Sequence, residues 1–151
     1  MSMENPPTVQ IVVAVALIDG AGQVLMQQRP QNKAHGGLWE FPGGKVEAGE
    51  SCEAALVRET DEELGISMDV ADIFPVFFAM EPSADRKRQV LLLLFGTYVW
   101  RGKPRAMEAG SAIAWVARDG LMSLPMPPLD IPLAKAVIPL LEGVAKAETP
   151  P

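Results

Sequence analysis

Apolar positions in this chain form short runs separated by turn residues. Residues 11–18 are continuously apolar and rich in β-branched side chains, which is typical of a buried strand. The turn residues 19–22 (DGAG) and a second run at 23–28 predict a hairpin. Residues 30–37 have loop chemistry. Further apolar runs predict strands at residues 38–41, 73–80, 89–100 and 112–116.

Two segments carry the signals of helices. Ser51 is a candidate N-cap and Gly65 a candidate stop, which together bound a helix over residues 52–64. A second helix is predicted to open at Asp130, with Pro139 kinking it. Strands interleaved with two helices predict an α/β domain with a mixed sheet. We expect one domain over residues 1–151, with flexible ends at about 1–8 and 147–151.

Composition excludes several classes of protein. A length of 151 residues and a hydrophobic content of 48% fit one domain with its own core. The single cysteine, Cys52, excludes an internal disulfide, and the single histidine, His35, leaves little room for histidine-ligated metals. The longest apolar run is too short to span a bilayer. The first ten residues lack a basic region, so we expect a cytoplasmic protein without a secretory signal.

The net charge is concentrated in one segment. The chain has 13 Lys and Arg against 19 Asp and Glu, for a net charge of −6. Residues 47–63 hold one base, Arg58, and seven acids, so this segment carries the entire imbalance. The acids are Glu47, Glu50, Glu53, Glu59, Asp61, Glu62 and Glu63. Because the overall charge balance is acidic, we expect no binding of long nucleic acid.

Three of these acids share one face of the predicted helix. Glu59, Glu62 and Glu63 are spaced i, i+3 and i+4, and a stripe of Leu56, Thr60 and Leu64 faces the core, with Arg58 pointing away from both. One interpretation is a solvated acidic face. The other is a site for a hard cation, because carboxylates without His or Cys select Mg²⁺ or Mn²⁺. Such a site suits hydrolysis of a polyphosphate.

The residues around the acids distinguish these interpretations. From Gly44 to Ile66 the sequence resembles the Nudix box, with seven fixed identities in register. They are Gly44, Glu50, Arg58, Glu59, Glu62, Glu63 and Gly65. Thr60 departs from the pattern, where an aliphatic residue is usual. Because Thr60 should face the core, we expect its hydroxyl to bond back to the carbonyl of Leu56.

The resemblance implies an α/β/α sandwich with a mixed sheet between helices, and roles for individual residues. The implied metal ligands are the carboxylates of the helix and the Gly43 carbonyl, namely Gly43, Glu59, Glu62 and Glu63. A glutamate activates the attacking water: one of the helix glutamates, or Glu108 from the loop over residues 101–111. Glu50 and Arg58 orient the ligands.

Resemblance outside the box narrows the branch. Residues 37–47 (GLWEFPGGKVE) are similar to MutT-type nucleotide-pool enzymes and to CTP pyrophosphohydrolases. By that similarity Arg29 contacts phosphate, Lys45 contacts substrate, and Phe41, in preference to Trp39, lines a base pocket. Asp130 falls at the base-reading turn, although an Asp before Ile-Pro is also an ordinary N-cap.

The implied function is a Mg²⁺-dependent hydrolase that converts a nucleoside triphosphate to a monophosphate and pyrophosphate, with 8-oxo-dGTP the leading substrate. The partner is then a small nucleotide, with no membrane and no long nucleic acid. The alternatives are a CTP or modified-pyrimidine hydrolase, an ADP-ribose hydrolase suggested by the spacing of Pro82, and a catalytically silent nucleotide-binding module. We expect a monomer or a homodimer.

Overall fold

The computed structural model describes residues 8–81 and 88–148. Within these ranges the chain forms seven strands, three helices and one 3₁₀ turn at Val70–Asp72. The strands are β1 (Thr8–Leu17), β2 (Gln23–Gln28), β3 (Trp39–Glu40), β4 (Gly43–Lys45), β5 (Phe74–Glu81), β6 (Arg88–Thr97) and β7 (Ala112–Ala117). The helices are α1 (Cys52–Leu64), α2 (Arg118–Leu121) and α3 (Asp130–Glu148).

The strands form two sheets. A four-stranded mixed sheet has the order β4-β1-β6-β5, in which β1 and β6 are parallel and the other pairs antiparallel. A three-stranded antiparallel sheet has the order β3-β2-β7. The prediction that β1 and β2 form a hairpin is therefore wrong, apart from the turn that connects them. A single bridge joins Ile18 to Val24, after which the strands separate into different sheets.

The sheets lie between α1 and α3, because successive side chains of β1 point to opposite faces. Val13 and Val15 belong to the buried cluster that includes Leu56 of α1. Ala14 belongs to the cluster that includes Leu133 of α3. The mixed α/β sandwich predicted from the sequence is confirmed. No helix among the described residues is both long and apolar enough to cross a membrane.

Helix α1 begins and ends as its local sequence predicts. The Ser51 hydroxyl accepts a hydrogen bond from the Ala54 N–H over 3.1 Å, and Gly65 ends the helix with a φ of 69°. Such a φ is in the left-handed region that glycine adopts without strain. The core stripe is also confirmed: Thr60 is fully buried, and its hydroxyl donates to the Leu56 carbonyl over 2.9 Å.

The remaining predictions have mixed outcomes. All six predicted strands and both predicted helices are present, with Pro139 inside α3. The strand β4 and the short helix α2 were not predicted, since three and four residues are too few for a periodic pattern. Thr8 and residues 147–148 lie within β1 and α3. The rest of the predicted flexible ends, and Pro82, lie outside the described residues.

Candidate active site

Two glycines of β4 bring the backbone against the glutamates of α1. The Gly43 N–H donates a hydrogen bond to Oε2 of Glu63 over 3.2 Å. A Cβ atom built on Gly44 would overlap the carboxylate of Glu59. The absence of side chains at these positions therefore lets two carboxylates approach β4 closely.

The same two carboxylates are crowded and incompletely compensated. Burial, together with the charge of Glu59, raises the pKa of Glu63 to about 8. Burial also raises the pKa of Glu59, against the opposing effect of Arg58. Oxygen donors that are close together and short of positive charge fit a hard divalent cation. The chemistry of this donor set is therefore compatible with Mg²⁺.

Arg58 lies over the glutamates, so the prediction that it points away from them is wrong. Its Nε and Nη2 atoms donate to the two carboxylate oxygens of Glu50, over 2.7 and 2.9 Å. Its Nη1 atom donates to Glu59 over 3.0 Å and reaches Glu62 at 3.4 Å. A helical wheel describes only where a side chain starts, whereas a long arginine can fold back along its helix.

The Arg58–Glu50 pair is a fixed bidentate contact. Hydrogen bonding from Arg58, with a further bond from the Glu47 N–H, lowers the pKa of Glu50 to about 2. Glu50 therefore stays ionised and holds the guanidinium against Glu59. This geometry is compatible with the orienting role that the Nudix resemblance implies for Glu50 and Arg58.

The third helix glutamate, Glu62, is turned toward solvent, with 59% of its side chain exposed. Across residues 8–81 and 88–148, no three His, Cys, Asp or Glu side chains are arranged to hold a metal ion. The reason is visible in the contacts, since Arg58 engages Glu59 and Glu62 while Gly43 engages Glu63. The ligand roles of Gly43 and of these glutamates therefore stay predictions.

The loop over residues 101–111 is attached to the C-terminal end of α1. The Arg105 N–H donates to the Leu64 carbonyl over 2.9 Å, and the Met107 N–H donates to the Glu63 carbonyl over 3.0 Å. These bonds satisfy carbonyls that a helix end leaves open. They also place Glu108 at a cavity that Glu63 lines, where Glu108 forms an ion pair with Lys33.

Two neighbouring cavities differ in chemistry. The first, about 160 Å³, is polar and is lined by Gly43, Glu63 and Glu108 among others. We call it the polar cavity. The second, about 260 Å³, is lined by Phe41, Lys45, Asp130 and apolar residues such as Val12 and Leu92. We call it the mixed cavity. Arg29 and Glu40 line both.

Arg29 and Glu40 form an ion pair at the junction of these cavities. Nη1 of Arg29 donates to both carboxylate oxygens of Glu40, over 3.1 and 3.0 Å, and Nε donates to the Ala34 carbonyl over 2.8 Å. Burial raises the pKa of Glu40, with Arg29 opposing the shift. Sequence reasoning missed Glu40. Its signal was a charged residue between two aromatics in a short strand, which alternation places opposite both.

Asp130 is a buried acid in the lining of the mixed cavity. Its Oδ2 atom accepts a hydrogen bond from the Phe41 N–H over 3.1 Å, and 5% of the residue is exposed. Burial raises the pKa of Asp130 to about 7. Phe41 itself is 3% exposed and belongs to the core on the α3 side, yet it also lines the mixed cavity. Trp39 is half-buried against the same core.

Comparison with known proteins identifies the class. The family model for the NUDIX domain matches residues 8–138. The chain is 36% identical to the CTP pyrophosphohydrolase of Escherichia coli over 135 residues, which is 86% of this chain and 93% of the relative. It is 33% identical to the 8-oxo-dGTP diphosphatase of Haemophilus influenzae over 124 residues, 82% of this chain and 88% of the relative.

A solved structure agrees with these relatives. The solution structure of the E. coli ORF135 protein superposes with a TM-score of 0.76 at 33% identity, covering 89% of this chain and 91% of that one. The chain belongs to the Nudix family. It is a Nudix hydrolase with the MutT fold.

Proposed function

We propose that this protein is a Mg²⁺-dependent nucleoside triphosphate pyrophosphohydrolase that acts on oxidised nucleotides such as 8-oxo-dGTP. The observation that carries the proposal is the arrangement of the two cavities. Glu63 and Glu108 line the polar cavity, Phe41 and Asp130 line the mixed cavity, and the Arg29–Glu40 pair lines both. A nucleotide has the same division, with a polyphosphate at one end and a base at the other.

The glutamates of α1, together with Glu108 and basic side chains, supply the chemistry at the phosphates. Glu59, Glu62 and Glu63 would hold Mg²⁺, which neutralises phosphate charge and makes a water molecule more acidic. Water adds across the bridge between the α and β phosphates, and one P–O bond of that bridge breaks to give the monophosphate and pyrophosphate. Glu108, or one of the helix glutamates, accepts the proton of the water. Arg29, which lines both cavities, binds phosphate oxygens, and Lys45, in the lining of the mixed cavity, binds the substrate.

Asp130 supports recognition of an oxidised guanine. Guanine presents two acceptors, N7 and O6, on its major-groove edge. Oxidation at C8 places a hydrogen on N7, so that a donor now lies beside the O6 acceptor. The carboxyl group of Asp130 has a pKa of about 7. It can accept a hydrogen bond from the N7–H group in either protonation state, and it can donate one to O6 when it is protonated. Unoxidised guanine lacks the donor at N7.

Cytosine nucleotides are the second candidate. Cytosine also presents a donor, its N4 amino group, next to an acceptor, N3, and the same carboxyl group fits both. The similarity to the E. coli CTP pyrophosphohydrolase supports this candidate. Adenine, with its N6 amino group beside N7, and unoxidised guanine, with N1–H beside O6, present such a pair as well. Asp130 alone therefore does not select the base, and the proposed preference for 8-oxo-dGTP also rests on the similarity to an 8-oxo-dGTP diphosphatase.

A substrate panel tests the proposal. Purified protein and its Glu62→Gln variant are incubated with Mg²⁺ and 8-oxo-dGTP, dGTP, CTP, dCTP, dATP or ADP-ribose, and monophosphate and pyrophosphate are measured. Glu53→Gln is the matched control, because Glu53 lies in the first turn of the same helix and is not one of the proposed metal ligands. We expect turnover that is greatest for 8-oxo-dGTP, lost in Glu62→Gln and retained in Glu53→Gln.

Each other outcome has a defined meaning. No turnover of any compound would contradict hydrolysis and favour a silent nucleotide-binding module. A clear preference for CTP or dCTP would establish the second candidate, and one for ADP-ribose would replace both. Full activity of Glu62→Gln would remove that residue from the metal site.

A further inference from the structure

Lys33 has a position that stability does not explain. It lies in the loop between β2 and β3, lines the polar cavity and forms an ion pair with Glu108. The pair is accessible to solvent, with 52% of the Lys33 side chain and 37% of the Glu108 side chain exposed. An ion pair as exposed as this one contributes little to folding. Because folding does not explain the position of Lys33, we consider which ligand of the polar cavity Lys33 could bind.

The basic side chains that line the polar cavity differ in how firmly their partners hold them. Among the described residues around this cavity they are Arg29 and Lys33. Arg29 is held by the Glu40 carboxylate and the Ala34 carbonyl. The partner of Lys33, by contrast, is a carboxylate from the 101–111 loop. A lysine on a flexible stem can change partners at less cost than a guanidinium with three fixed bonds.

A divalent cation at Glu63 would compete with Lys33 for Glu108. Both carboxylates line the same cavity, and a divalent cation attracts a carboxylate more strongly than an ammonium group does. Once Glu108 turns toward the cation, the ammonium group of Lys33 is left beside the cavity without that partner. A phosphate oxygen of the substrate can then accept a hydrogen bond from the ammonium group of Lys33.

We propose that Lys33 binds the pyrophosphate end of the substrate, after Glu108 leaves it for the metal ion. Lys33 thereby recognises the terminal phosphates and neutralises the charge of the leaving group. The inference deepens the proposed function, on which it rests for the presence of a polyphosphate. It adds a residue of the 30–37 loop that distinguishes a triphosphate from a shorter phosphate chain.

Binding of Mg²⁺-pyrophosphate, measured by titration calorimetry, tests the contact without catalysis. The variants are Lys33→Gln and the matched control Lys135→Gln, which removes the same charge from an exposed position of α3 outside the lining of the polar cavity. We expect Lys33→Gln to weaken binding about tenfold, the size of one charge-assisted contact. We expect Lys135→Gln to bind like wild type. Thermal unfolding confirms that both variants fold.

Pyrophosphate binding without metal tests the exchange. In metal-free wild type Glu108 occupies Lys33, so Glu108→Gln should free the ammonium group and strengthen pyrophosphate binding about tenfold. The double variant Lys33→Gln, Glu108→Gln should lose that gain. A double-mutant cycle of this kind isolates the coupling between the two side chains.

The outcomes separate this inference from the proposed function. Wild-type affinity in Lys33→Gln, an equal loss in Lys135→Gln, or no binding of Mg²⁺-pyrophosphate by wild type would overturn the contact. A Glu108→Gln variant without the metal-free gain would overturn the exchange. If wild type hydrolyses no nucleoside triphosphate while Lys33→Gln still weakens pyrophosphate binding, the proposed function fails and the phosphate contact stands.

Discussion

The backbone N–H of Phe41 donates a hydrogen bond to Oδ2 of Asp130 over 3.1 Å, across 89 positions of the chain. The bond joins the segment between β3 and β4 to the first residue of α3. It also keeps a buried carboxyl group in the lining of the mixed cavity, where burial raises the pKa of Asp130 to about 7. The mixed cavity therefore has in its lining an acid that changes protonation near neutral pH.

The raised pKa of Asp130 predicts that wild type loses folding stability as the pH rises, and that the Asp130→Asn variant does not show this loss. The folded protein holds the Asp130 proton up to about pH 7, whereas the unfolded chain releases it near the ordinary value of 3.8. Stability is therefore fully present below the unfolded pKa and falls as the pH rises toward the folded pKa. We expect the melting temperature of wild type, relative to Asp130→Asn, to decrease from about pH 4 to about pH 8.

The measurement compares wild type and variant in metal-free buffer, so that other titrating groups largely cancel. Asparagine retains an oxygen that can accept from the Phe41 N–H, and the hydrogen bond is therefore preserved. A difference in melting temperature that is constant across this pH range would contradict the raised pKa of Asp130.

Thr60→Val should stabilise the protein and leave activity unchanged. The Thr60 hydroxyl donates to the carbonyls of Leu56 and Val57, which belong to α1. Valine removes the buried hydroxyl and retains the shape, so we expect a gain of about 1 kcal/mol or less in the free energy of unfolding. Chemical denaturation measures it, and a clear loss of stability would refute the prediction.

Thr97→Val is the matched control, because Thr97 is equally buried but its hydroxyl has a different task. It accepts from the Val99 N–H over 3.1 Å and donates to the Val99 carbonyl over 2.9 Å. Removal leaves the Val99 N–H without this partner, and because Val99 is exposed to water we expect a loss of about 0.5–1.5 kcal/mol in the free energy of unfolding. The two substitutions should therefore have opposite signs.

Arg58→Lys should impair the metal site although it keeps the charge. A lysine cannot donate in parallel to both oxygens of Glu50 while also reaching Glu59. We expect the Mg²⁺ concentration for half-maximal activity to rise about tenfold or more, as is common when a group that orients metal ligands is lost. Arg101→Lys is the control, since Arg101 makes a similar forked contact with Asp69 at an exposed position. An unchanged Mg²⁺ dependence in Arg58→Lys would contradict the orienting role.

How much the sequence could predict depended on the range of the interaction involved. Helix α1 was predicted to the residue, because Ser51, Gly65 and the buried stripe are local signals. The separation of β1 and β2 into two sheets was not, since it depends on the pairing of β2 with β7, about ninety residues away. The direction of the Arg58 side chain was also missed, because its partner Glu50 lies outside α1 and helical spacing does not include it.

The candidate site likewise has features that a local sequence pattern indicates and features that depend on contacts between distant residues. The glutamates of α1 were proposed as metal ligands from their spacing and from the Nudix resemblance, and that role stays a prediction. Glu40 was missed because its importance arises from Arg29, which belongs to a different strand region, and from the two cavities that meet there. The pairing of Lys33 with Glu108 joins loops separated by 75 positions, and no local pattern indicates it.

The adjacent glycines of β4 should respond differently to alanine. A Cβ atom on Gly43 would overlap the carbonyl oxygen of Val13 and come within 2.7 Å of the Ala14 Cα atom, both on the paired strand β1. Backbone in the middle of a sheet cannot move aside, so we expect Gly43→Ala to lower the free energy of unfolding by about 1–3 kcal/mol or more.

Gly44→Ala meets a side chain instead, because its Cβ would overlap the carboxylate of Glu59. That carboxylate can rotate away, at the expense of its contact with Arg58. We therefore expect a smaller loss of stability than in Gly43→Ala, together with weaker Mg²⁺ binding. Thermal unfolding and Mg²⁺ titration calorimetry of both variants measure the two effects. Unchanged Mg²⁺ affinity in Gly44→Ala would show that the position of Glu59 is not required for the metal, and equal destabilisation would contradict the distinction between backbone and side chain.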